Sequence, residues 1–201
     1  MNFYAHARVA DALYRDPEVT LGAMLPDLAT MAGRRWDPAA ADRPGLARGV
    51  ALHHATDEAF HGAPAFLSLL ERWRERLGAA LGLRRGVARA AAHVGIELLL
   101  DGIAHEEGEV ASYAAALDLA ATLETGPLPE IAATASRIGR GPLPAAYADP
   151  TFCAARVEGL LGRRPRLALP PGAVGGLGRE FRTLRLEISA RAAELLDPGV
   201  A

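Results

Sequence analysis

Arg85-Gly-Val-Ala-Arg-Ala-Ala-Ala-His93-Val-Gly-Ile-Glu97-Leu-Leu-Leu-Asp101-Gly-Ile-Ala-His105 is the most apolar stretch of the chain and reads as one long helix. It is rich in alanine and free of proline, and the rest of the chain follows the same pattern. Alanine is the commonest residue, β-branched residues are scarce, and glycine and proline mostly fall between segments rich in Ala, Leu, Arg and Glu. No segment alternates with the period of two that a strand requires. The fold class this predicts is all-α.

Working outward from Arg85–His105, the punctuation predicts about seven helices in one domain over residues 1–201. The first runs from about Phe3 to Tyr14 and is closed by Asp16-Pro17. The second covers roughly Leu21 to Ala32, before a loop at Gly33-Arg34-Arg35-Trp36-Asp37-Pro38. The third starts near Pro44, with Asp42 as N-cap, and reaches Phe60 or His61. Gly62-Ala63-Pro64 opens a fourth, with Phe66, Leu69, Leu70, Trp73 and Leu77 at helical spacing. After the long fifth come Glu109–Glu124, then a Pro/Gly-rich stretch at 126–150 expected to hold short turns of helix and loop. Thr151–Leu161 and Val174–Leu196 complete the set. The 50 residues after the Pro/Gly-rich stretch are too few for a good core of their own, which favours one domain.

The 201 residues are half hydrophobic, so a sizeable core can form and disorder is excluded. All 22 basic residues are arginine, and against 24 acids they give a formal charge of −2, which points away from nucleic acid as the partner. Cys153 is the single cysteine, so an intramolecular disulfide and an all-cysteine zinc site are both excluded. The opening residues are polar, unlike a secretory signal, and no apolar run is long enough to span a membrane. These features together read as a cytoplasmic protein.

The chemistry concentrates where histidine and carboxylates recur. His6 lies in the first helix and Asp27 in the second. The third carries His53, Asp57 and His61, and the fifth carries His93, Glu97 and Asp101, both at i, i+4 and i+8. Residues four apart share a helix face and can share an ion, whereas residues eight apart are separated by about 12 Å of rise and cannot. Both triples take part together only around a metal pair or with some members behind the ligands. With 24 acids and six histidines in 201 residues, such triples also arise by chance. The competing reading pairs Glu97 and Asp101 with arginines, or sets them on a narrow solvated stripe of an otherwise apolar helix. His54 is either an acid beside His53 or an exposed residue facing away from it. Arg163, Arg164 and Arg166 are either a phosphate grip or a solvated loop. Trp73 reads as core, and Cys153 as a buried small residue.

At these residues the chain resembles the acyl carrier protein phosphodiesterase family, the holo-acyl-carrier-protein hydrolases. Met1-Asn2-Phe3-Tyr4-Ala5-His6 is similar to the family's opening Met-Asn-Phe-Leu-Ala-His. Gly22-Ala23-Met24-Leu25-Pro26-Asp27-Leu28 resembles its Gly-Asn-Leu-Leu-x-Asp-Phe, and Gly49 through Asp57 its Gly-Ile-x-x-His-Arg-x-Ile-Asp. Glu97-Leu98-Leu99-Leu100-Asp101-Gly102 falls on Asp-Val-x-x-Asp-His, and Arg163-Arg164-Pro165-Arg166-Leu167 on Arg-Arg-Pro-Arg-Leu. The resemblance implies an HD-phosphohydrolase-like helical domain and a divalent metal, manganese first, with magnesium, iron or zinc as alternatives. It also implies removal of 4'-phosphopantetheine from holo-acyl carrier protein. Carried over, His6, Asp27, His53, Asp57, His61, Glu97 and Asp101 are the metal residues, His54 and Asp57 the catalytic pair, and Arg163, Arg164 and Arg166 bind substrate. Four positions depart from the family: His54 for a basic residue, His61 and Glu97 for aspartates, and Gly102 for a histidine. Glycine can neither ligate nor move a proton, so two other readings stay open. One is a sibling hydrolase acting on another small phosphoester; the other is a helical binding protein that keeps the fold without turnover.

Overall fold

The computed structural model describes residues 1–35, 43–123 and 128–197. Among these there are ten α-helices: α1 (Phe3–Tyr14), α2 (Pro17–Met31), α3 (Pro44–Gly62), α4 (Pro64–Leu81), α5 (Arg85–Glu106), α6 (Tyr113–Ala121), α7 (Leu128–Arg140), α8 (Pro150–Gly162), α9 (Ala173–Ser189) and α10 (Ala192–Leu196). A 3-10 turn, Ala145–Ala148, precedes α8, and the described residues contain no strand. The all-α class is correct, and the count of about seven is too low.

The differences have local causes. Asp16-Pro17 opens α2 rather than closing α1: the Asp16 carboxylate accepts from the Glu18 amide at 2.8 Å and Pro17 supplies the first helical position. The helix α1 stops one residue earlier, with Arg15 in the left-handed region at φ 49°. The stretch 126–150 holds a full helix because its prolines stand at its edges. Pro129 falls in the first turn of α7, where a missing N–H costs nothing, and Pro142, Pro144 and Pro150 all follow the helix. Between them Ile131, Ala135 and Ile138 are buried at helical spacing. The closing helix breaks at Ala190-Arg191, which no glycine or proline marks. At the head of α3 the N-cap position is Arg43, with no side-chain cap. Asp42, expected there, lies outside the described residues, as do Trp36 to Pro38 of the preceding loop.

One cluster of buried side chains draws on every helix from α1 to α10 and on the 3-10 turn. Trp73, Tyr4, Tyr147, Phe3, Phe60, Phe66 and Phe181 are its largest fully buried members. Trp73 is core as expected, with its indole N–H donating to Glu187 at 3.1 Å. The apolar α5 packs on α1, α4, α8, α9 and the 3-10 turn, which explains why it is hydrophobic nearly all round. Among the described residues no helix is long and apolar enough to cross a membrane.

The closest helix pair is α2 and α3, and glycine makes it possible. A Cβ added at Gly22 would lie 2.9 Å from the Gly49 Cα, and one at Gly49 would lie 2.7 Å from the Ala23 amide nitrogen. The two backbones therefore touch, with no side chain between them. One turn beyond this crossing stand Asp27 on α2 (five after Gly22) and His53 on α3 (four after Gly49).

Candidate metal centre

Four helices deliver the titratable side chains to one place. The first turn of α1 supplies His6, α2 supplies Asp27, α3 supplies His53, Asp57 and His61, and α5 supplies His93 and Glu97. Two groups result. Donor atoms of His6, Asp27 and His53 lie within 4.8 Å of one another, and so do those of His61, His93 and Glu97. The eight-residue separation of His53 and His61 thus places them in different groups, as the rise of a helix requires.

In the buried group both imidazoles are held by one nitrogen and offer the other. His53 Nδ1 lies 2.9 Å from the Ala23 carbonyl oxygen, an acceptor only, so Nδ1 carries the proton and Nε2 a lone pair. His6 Nδ1 lies 2.9 Å from the Thr56 hydroxyl, which itself donates to the backbone carbonyls of Leu52 and His53. The hydroxyl must then accept from His6, which leaves Nε2 of His6 unprotonated as well. Burial lowers the pKa of both, to about 4 for His53 and well below the usual value for His6. They are neutral near pH 7, the form that binds a metal. The two rings lie 4.0 Å apart between centroids. His6 Nε2 and Asp27 Oδ2 are buried without a hydrogen-bond partner, and burial raises the Asp27 carboxyl well above the usual range. Unsatisfied buried acceptors aimed at one point are costly unless a cation joins them.

In the outer group three atoms converge. His61 Nε2 lies 3.0 Å from His93 Nε2 and 3.2 Å from Glu97 Oε1, and His93 Nε2 lies 3.2 Å from the same oxygen. Ligands about 2.1 Å from one ion stand about 3.0 Å apart in an octahedron and about 3.4 Å apart in a tetrahedron. The spacing therefore fits a first-row divalent ion without rearrangement. His61 also faces Asp57, with Nδ1 3.3 Å from Oδ2. Hydrogen bonds to Asp57 and Glu97 raise its pKa to about 9. Burial acts against ionised Glu97, but the bonds from His61 and His93 hold its pKa down at about 2.

Asp57 connects the groups. Its Oδ2 orients His61, while its Oδ1 lies 3.8 Å from His6 Nε2 and 2.9 Å from the α-ammonium of Met1. That ammonium also reaches Glu97 Oε1 at 3.4 Å. Burial acts against the Asp57 charge, yet His61 and the ammonium hold its carboxyl well below the usual range. The Met1 nitrogen thus lies between the two groups, a contact for which the sequence carries no signal.

Asp101 belongs to neither group. It accepts from the Asn2 side-chain amide at 2.7 Å, from the Tyr4 amide at 3.2 Å and from the Ala5 amide at 2.9 Å. Its acceptors are spent on the first turn of α1, and it fixes where His6 points. Burial pushes its pKa up to about 7 against the pull of those donors. His54 is exposed, with its ring edge-on to His53 at 5.3 Å, outside both groups. His93, which the i, i+4 spacing places beside Glu97 but which the family resemblance does not supply as a ligand, completes the outer group.

Gly102 has a structural cause. A Cβ there would lie 2.6 Å from the Ala148 amide nitrogen, in space filled by the backbone of the 3-10 turn. Cys153 braces that turn by donating its thiol to the Tyr147 carbonyl at 3.3 Å, and burial pushes its pKa to about 12. It is a packing residue, as the sequence suggested. Of the arginine block, Arg163 and Arg164 line a cleft, whereas Arg166 does not; its carbonyl accepts from Arg84 at 3.1 Å. In comparisons with known proteins the chain matches no family model, no curated protein and no solved structure.

Proposed function

We propose that the protein is a metal-dependent phosphoester hydrolase built around two adjacent divalent-ion sites. The observation that carries this reading is the pair of ligand groups, His6–Asp27–His53 and His61–His93–Glu97, with Asp57 between them. The donor set of imidazole and carboxylate suits manganese, iron or zinc better than magnesium, which prefers oxygen. When bound, such ions acidify water and neutralise charge on a phosphoryl group. The protein's own residues do the rest. Thr56 and the Ala23 carbonyl fix the tautomers of His6 and His53, and Asp57 fixes the orientation of His61. Hydrolysis adds water across a P–O bond and delivers a proton to the leaving alkoxide. His54, exposed with its ring 5.3 Å from that of His53, is a side chain of the right type to hold that proton.

The HD-phosphohydrolase-like fold, the cytoplasmic setting and holo-acyl carrier protein as substrate remain part of this reading through the family resemblance. One observation favours the sibling hydrolase over the family reaction. The backbone of Tyr147 and Ala148 fills the space that a histidine at position 102 would need. A proton-moving group cannot be accommodated there, so the substrate must differ or the proton must come from elsewhere.

The test is metal analysis of the purified protein, then hydrolysis of bis(p-nitrophenyl) phosphate and of holo-acyl carrier protein with and without chelator. Asp57→Ala should abolish hydrolysis and lower metal content while leaving the helical circular dichroism intact. A protein that takes up neither manganese, iron nor zinc would overturn the proposal. Metal uptake without turnover would leave a binding protein.

A further inference from the structure

The cleft lined by Arg163 and Arg164 carries its own chemistry. Its volume is about 540 Å³, in the range of sites for small organic ligands. It shares two helices with the ligand groups. Val94, which lines it, follows His93 on α5, and Met31 stands one turn after Asp27 on α2. Its walls are aliphatic: Met31, Val94, Ile138, Leu143 and Leu160. Among the described residues no aromatic side chain lines it.

Four arginines face this aliphatic space: Arg137, Arg156, Arg163 and Arg164. No Asp or Glu lines it among the described residues. Seven other arginines, Arg8, Arg34, Arg43, Arg72, Arg74, Arg76 and Arg185, each pair with a carboxylate. Arg137 donates only to the Thr134 hydroxyl, at 2.8 Å. The Nε of Arg156 is buried without a partner. Guanidinium groups gathered without counter-charges beside an apolar wall suit an anion attached to an aliphatic body.

We propose that this cleft seats an aliphatic organophosphate, with its chain against the aliphatic wall and its phosphate on the four arginines. The inference stands apart from the hydrolase reading, since the preference for an aliphatic anion is the cleft's own property. Inorganic phosphate lacks the part that the wall would cover.

The experiment is calorimetric titration of the chelator-treated full chain with octyl phosphate and, separately, with inorganic phosphate. Octyl phosphate should bind at least about tenfold more tightly than inorganic phosphate. The double variant Arg163→Ala/Arg164→Ala removes two exposed side chains, so the fold should stand. It should weaken octyl phosphate by about tenfold or more with metal content unchanged. Leu160→Trp narrows the wall without altering charge, and should weaken octyl phosphate while leaving inorganic phosphate as it was. Equal affinity for the two ligands, or affinity unchanged in the double variant, would overturn the proposal. Octyl phosphate binding in a protein that hydrolyses nothing when metal-loaded would uphold the cleft and defeat the hydrolase. Hydrolysis without octyl phosphate binding would do the reverse.

Discussion

Gly102 is where a single residue has the sharpest consequence. Because the Tyr147–Ala148 backbone occupies the space of its missing side chain, Gly102→His should not restore a family-like active site. It should instead overpack the junction of α5 with the 3-10 turn and cost about 1–3 kcal/mol, read as a lower denaturation midpoint. A stable and faster Gly102→His variant would refute this. His61 makes a second residue-scale prediction, through pH. Its pKa is raised from 6.5 to about 9, so its contribution to the stability of the metal-free protein is complete below 6.5 and lost as pH rises through 9. A metal on His61 must displace that proton, so apparent affinity should grow by up to about tenfold per pH unit over the same window. The gap in melting temperature between metal-loaded and chelated protein should therefore widen from pH 6.5 to pH 8.5. An unchanged gap would remove His61 from the ligands.

At the scale of the element, Asp101 is best understood as part of α1 rather than of the metal groups. Its three donors, from Asn2, Tyr4 and Ala5, tie the first turn of α1 to α5. Asp101→Asn would turn an N–H toward backbone N–H groups, costing about 1–3 kcal/mol and loosening His6. Metal content should fall by one ion while the His61–His93–Glu97 group stays loaded; complete metal loss would show the two groups to be inseparable. The i, i+4, i+8 rows on α3 and α5 were legible in the sequence because helix geometry fixes them within one element. What α5 does with its third member was not, since Asp101's partners come from residues nearly a hundred positions away. The same limit hid the α9–α10 break, which no local signal marks. The α7 error differed in kind. The prolines of 126–150 were counted as a composition, when their positions at the ends of the segment were what mattered.

For the whole molecule, the metal-free site crowds its polar groups together: His61 holds a proton beside Asp57 and Glu97, burial works against the charge on Asp27, and the Met1 nitrogen stands between Asp57 and Glu97. A divalent ion replaces part of that arrangement and stabilises the folded chain by mass action, about 2.7 kcal/mol at a hundredfold excess over Kd. Chelation should lower the melting temperature accordingly, and identical melting curves would favour a purely structural ion-pair role for these side chains. The candidate ligands could be named from sequence because residue type and family resemblance agreed on them. The rise of α3 separates His53 from His61, but joining Asp27 to His53 required the crossing of α2 and α3, and the cleft required α7, where the sequence predicts only short helical turns and loop.

That crossing also says something about motion. Gly22 and Gly49 bring two main chains into direct contact one turn from Asp27 and His53. No rotamer can change there to let the helices slide. Amide protons around the contact should therefore exchange with deuterium only when the molecule unfolds globally, and faster in chelated protein only by as much as global stability falls. Breathing would be left to the far ends of α2 and α3, so the ion would arrive at a frame already set.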